Sequence, residues 1–86
     1  MTKTTTNAQL LENIAEEIND VFNYQLNAEV HGEVLLISAK SKKQWDMEEL
    51  EDLIGGSLEY VTERMNVDFN LVDRGTRWLG YELLTY

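Results

Sequence analysis

The chain contains no cysteine. Disulfides, thiolate nucleophiles and thiolate metal sites are thereby excluded, and the composition fits a reducing cytosol. Long apolar runs are also missing. The longest extends only from Val34 to Ile37, far short of the roughly 20 residues that span a bilayer. The polar start, Met1 to Asn7, lacks the apolar region of a secretory signal. No membrane association is expected, and the expected location is cytoplasmic, the host's cytoplasm if the chain is viral. Basic residues are scarce: seven Lys and Arg stand against sixteen Asp and Glu, a formal net charge of −9. A field of that sign repels nucleic acid and anionic lipid and attracts basic proteins. No Gly-rich phosphate loop, nucleophile motif or metal-ligand spacing is present either, so the chain is expected to be neither an enzyme nor a cofactor carrier.

What is present is one small α+β domain spanning residues 1–86. At this size roughly 60 to 65% of the unfolded surface is buried on folding, enough for a modest two-layer core. Met1 to Thr5 reads as a frayed polar tail. Thr6 and Gln9 resemble a capping box, after which Leu10, Leu11, Ile14, Ile18, Val21 and Phe22 fall on one face of a helix from about Asn7 to Phe22. From Gln25 the period changes to two, Leu26, Ala28 and Val30 alternating with Asn27, Glu29 and His31. His31-Gly32-Glu33 then turns the chain into Val34 to Ala39, apolar on both sides and so expected at the sheet centre.

The second half repeats the order. Asp46 with Glu49 forms a capping box, with Trp45 placed to staple onto Leu50. Met47, Leu50, Leu53, Ile54, Leu58, Val61 and Met65 then mark a second buried stripe. Gly55-Gly56 lies outside that stripe and weakens a helix by roughly 2 kcal/mol relative to alanine. The expected consequence is a break with Ser57 as a new N-cap, the alternative being close approach by another chain. Val67, Phe69 and Leu71 alternate with Asp68 and Asn70 in a third strand. Asp73 to Thr76 has turn chemistry, and Arg77 to Tyr86 is a fourth strand. The order αββαββ predicts a four-stranded antiparallel sheet with both helices on one face.

Two surfaces stand out. Glu12, Glu16 and Asp20 repeat every fourth residue, as do Glu48 with Asp52 and Glu59 with Glu63. Each such like-charge pair costs roughly 0.2 to 0.5 kcal/mol, so the ridges are either a solvated face or a surface shaped for a basic partner. Carboxylates one helical turn apart rise roughly 6 Å, close to the spacing of phosphates along a nucleic-acid strand. In size and charge, though in no motif, the chain resembles small acidic phage proteins such as anti-restriction and anti-CRISPR inhibitors. That likeness implies a stoichiometric inhibitor or regulator that occupies the basic groove of a nucleic-acid-handling protein and does not itself bind nucleic acid.

The other surface is the sheet face away from the helices. Trp78, Leu84 and Tyr86 are expected there with one set from Val34 and Leu36, ringed by Glu29, His31, Asp68, Asn70 and Glu82. Such a face suits an assembly subunit that homodimerises. The lysines at 40, 42 and 43 near Trp45, with Arg74 and Arg77 in another loop, are the only basic clusters, and against the net charge they read as solvated loops.

Overall fold

The computed structural model describes residues 7–84. The expected tail at Met1 to Thr5, the cap at Thr6 and the sheet residue Tyr86 lie outside that range. The elements run α1 (Asn7–Val21), β1 (Leu26–His31), β2 (Val34–Ala39), α2 (Met47–Met65), β3 (Asp68–Arg74) and β4 (Trp78–Leu84). The four strands form one antiparallel sheet in the order β1-β2-β4-β3. The αββαββ order is therefore the observed one, and β2 is internal as its two-sided apolar pattern requires.

Period-two patterning decides which face is buried. Leu26, Ala28, Leu35, Ile37, Ala39, Leu79, Tyr81 and Leu83 all point to the core, where they meet Leu11, Ile14, Ala15 and Ile18 of α1 and Leu50, Ile54, Leu58 and Val61 of α2. Val21, expected in the α1 stripe, is exposed instead, and Ala15 fills the buried position nearer the sheet. In the β1–β2 hairpin, Gly32 at the first turn position has φ +65°, the geometry of a two-residue turn that matches strand twist.

The expected break in α2 does not occur. The helix is continuous through Gly55 and Gly56, and Ser57 is fully buried within it, donating its hydroxyl to the Ile54 carbonyl at 2.7 Å. Packing overrides propensity here. Two glycines cost roughly 2 kcal/mol, whereas burying Leu50, Ile54, Leu58 and Val61 contributes about 1.5 to 3 kcal/mol each. The ends of α2 are firmly specified. Asp46 and Glu49 form the reciprocal capping box, and Asn66 closes the helix in the left-handed region at φ 54°.

A second correction concerns the last turn. Asp73 and Arg74 belong to β3, and the chain reverses at residues 75–77 instead. A bulge between Leu71 and Asp73 absorbs one residue, so the strand resumes with Asp73 opposite Gly80 and Arg74 opposite Leu79. Coverage of β3 also differs from expectation. α1 packs on β1 and α2 crosses β2 and β4, while β3 extends past the helix layer. Phe69 is half-buried against the core, but Leu71 and Val72 are exposed.

Candidate functional site

All seven ridge carboxylates, Glu12, Glu16, Asp20, Glu48, Asp52, Glu59 and Glu63, are exposed, but they do not make one continuous row. Glu12 and Glu16 sit on the flank of α1 that faces the β1 edge, sharing a shallow depression with Asn19, Ala28 and Glu29. The four on α2 form a separate stripe. At 100° per residue their positions fall within a sector of about 60°, and from Glu48 to Glu63 the stripe rises roughly 22 Å. Gly55 and Gly56 lie midway along its length, one about 20° beyond each edge of the sector. A Cβ built on either glycine meets nothing within 4 Å, so no packing inside the chain requires glycine there.

Between the two helices the charge pattern changes. Glu17 of α1 is paired with Arg64 Nε at 3.3 Å and accepts a bond from the Tyr60 hydroxyl at 3.4 Å. The Arg64 guanidinium also lies 5.5 Å from the centre of the Tyr60 ring, and that ring meets Phe22 edge-on at 5.8 Å. This seam was not singled out in the sequence, although Arg64 is the only basic residue in either helix.

The open sheet face carries the expected residues in a different arrangement. Register places Trp78 beside Ser38 and Leu84 beside Asp68, so the two are separated by most of β4, roughly 20 Å. Trp78 is half-buried because its indole folds over the β3–β4 turn. A Cβ on Gly75 would lie 2.1 Å from the Trp78 Nε1. Between Trp78 and Leu84, the side chains of Leu36 and Val34 lean over Gly80, within 3.0 and 3.2 Å of where its Cβ would be. Leu84 is exposed. The polar rim is paired across the surface: His31 Nε2 lies 3.0 Å from Glu29, and Asn70 donates to Glu82 at 3.2 Å. Among the described residues no group of three His, Asp or Glu converges as metal ligands, and no helix is long and apolar enough to cross a membrane.

One residue overlooked in the sequence controls a sheet edge. Asn19 of α1 donates from its amide nitrogen to the Ala28 carbonyl at 2.9 Å and accepts from the Ala28 N–H at 2.7 Å. Its side chain thus stands in for a neighbouring strand along β1. The only sequence signal was a poor helix former beside an apolar stripe.

The chain matches no family model, and no curated protein or solved structure is significantly similar to it.

Proposed function

We propose that this chain is a non-enzymatic binding module that uses the outward stripe of α2 to engage a basic protein, acting as a stoichiometric inhibitor or regulator of a nucleic-acid-handling complex. The observation that carries the reading is the middle of that stripe. Glu48 and Asp52 on one side and Glu59 and Glu63 on the other flank two glycines on an uninterrupted helix, and neither glycine is demanded by packing within the chain. A partner backbone or a pair of long basic side chains can approach the helix closely there, between the four carboxylates. The row's rise per turn, close to phosphate spacing, suits a groove built for nucleic acid.

The test is Asp52→Lys with Glu59→Lys. Each introduced lysine lies four residues from a retained acid, Glu48 or Glu63, so thermal stability is expected to hold or rise. Capture of the partner from the native host at low salt should fall sharply, mainly through a slower association rate. Undiminished capture by the double variant would reduce the stripe to a solubilising surface. Homodimerisation through the open sheet face is the second reading, favoured by exposed Leu84 beside half-buried Val34 and Leu36. Because Trp78 is engaged within its own chain by Gly75, that face offers less aromatic area than the sequence suggested.

A further inference from the structure

Strand register brings two separate basic loops to one end of the sheet. Ser38 pairs with Trp78, so the loop leaving β2 and the loop entering β4 emerge side by side. Five of the seven Lys and Arg, at positions 40, 42, 43, 74 and 77, lie in or next to these loops. Between the loops is a cleft of about 500 Å³. Exposed Lys42, Thr76 and Arg77 line it together with half-buried Trp45 and Met47 and buried Leu50. Its wall is held in place from the far side, where the Trp78 indole rests on Gly75.

The cations of the cleft are not equivalent. Lys43 is engaged: its Nζ lies 2.9 Å from the Glu49 carboxylate and 4.2 Å from the centre of the Trp45 ring. Glu49 is correspondingly held below the usual carboxylate range, first by the bond from Lys43 and then by the Asp46 backbone. Among the described residues, neither Lys42 nor Arg77 has a side-chain partner. Two unpaired cations therefore share a cleft with an apolar, indole-bearing lining in a protein that is otherwise strongly acidic.

We propose that this cleft binds a nucleoside phosphate of mononucleotide size, its phosphate on Lys42 and Arg77 and its base against Trp45 and Met47. The volume lies within the roughly 300 to 1,000 Å³ of small-molecule sites. Two cations match the charge of about −2 on a phosphate monoester near neutral pH. A guanidinium forks onto two phosphate oxygens, the Thr76 hydroxyl supplies a further donor, and an indole offers a stacking surface to any base. A longer strand is disfavoured, because leaving the cleft it meets the exposed acids of α2 and a net charge of −9.

The test is a titration of the full chain with each of the four common nucleoside monophosphates, with inorganic phosphate and with an oligothymidylate, followed by amide and indole resonances. The reporter is the Trp45 indole N–H, which donates to the Ser41 carbonyl at 3.0 Å. A nucleoside monophosphate is expected to move it saturably, with binding weakened at least about tenfold in Arg77→Gln and in Lys42→Gln, each removing one charge-assisted bond. Arg64→Gln, at the helix seam, should bind like the parent chain. Both cleft cations are exposed, so these variants should fold, and an otherwise unchanged spectrum verifies it. The proposal is overturned by no saturable shift with any monophosphate or by undiminished binding in both cleft variants. Inorganic phosphate binding as tightly as the nucleotides would remove the base subsite, and tighter binding of the oligothymidylate would reassign the cleft to single-stranded nucleic acid.

Discussion

The two edges of the sheet are closed in opposite ways. Along the first half of β1 outward backbone groups are occupied, at Leu26 and Ala28. Leu26 N–H donates to the Phe22 carbonyl, and both polar groups of Ala28 are held by Asn19. α1 lies directly above and buries the strand's inner side chains. Along β3 the Arg74 N–H is held by the neighbouring Asp73 carboxylate at 2.9 Å, and further protection comes from distortion and charge: the bulge after Leu71, and Asp68, Asp73 and Arg74 spaced along the strand. The first device satisfies hydrogen bonds, whereas the second makes an added strand fit badly. An occupied edge contributes stability of its own. A distorted edge contributes only selectivity, so the β3 side should be the less stable and more adaptable half.

Core truncation gives the largest effect that bears on this contrast. Ile37 is fully buried on β2, whereas Leu71, on the same face of the sheet, is 37% exposed. Ile37→Ala should cost about 2 to 5 kcal/mol, and Leu71→Ala under about 1 kcal/mol, measured by chemical denaturation. Equal costs would mean that β3 is covered in solution, by a second copy or by another partner, and the contrast would fail.

Next comes the clip itself. Asn19→Ala leaves a strand N–H and carbonyl without their partners, and should cost about 1 to 3 kcal/mol. Hydrogen exchange locates the loss: the Ala28 amide should lose protection while Leu79, between two strands, changes only with global stability. An unaltered Ala28 rate would show that the edge is closed by something other than Asn19.

Which of these features could be read from the chain depended on whether local pattern or strand register decided them. The α2 stripe and the Asp46–Glu49 box are local, and they were legible. The continuity of α2 through Gly55-Gly56 was not, because propensity there is outweighed by the burial of Leu50, Ile54, Leu58 and Val61 on either side. Asp73 and Arg74 carry turn chemistry, and only the bulge, which restores the strand phase by taking up a residue, lets them remain in β3. The ridge acids were legible as exposed residues, but their division between the β1 flank and the outer face of α2 follows from how α1 and α2 pack. The cleft between Lys42 and Arg77 depends on β2 pairing with β4, a non-local choice that neither loop encodes alone.

The smallest expected effect probes the boundary between the two halves. Tyr81 of β4 is buried, pairs with Leu35 on one side and Leu71 on the other, and meets the Phe69 ring edge-on at 6.4 Å. Burial, and secondarily the Glu51 carboxylate, raise its pKa above the ordinary 10.0. Because the folded chain favours the neutral phenol more than the unfolded chain does, this contribution is fully present below the unfolded value of about 10. It is lost as pH rises from there through the folded value. Stability should therefore fall with alkali above about pH 10 more steeply for the parent chain than for Tyr81→Phe, which has no proton to lose. Glu51→Gln should leave the onset near about pH 10 and make the fall slightly smaller, toward the Tyr81→Phe curve, since it removes the lesser of the two causes that raise the folded value. Parallel alkaline curves for all three chains, followed by circular dichroism, would mean that Tyr81 is freely solvated and that β4 is as loosely covered as β3.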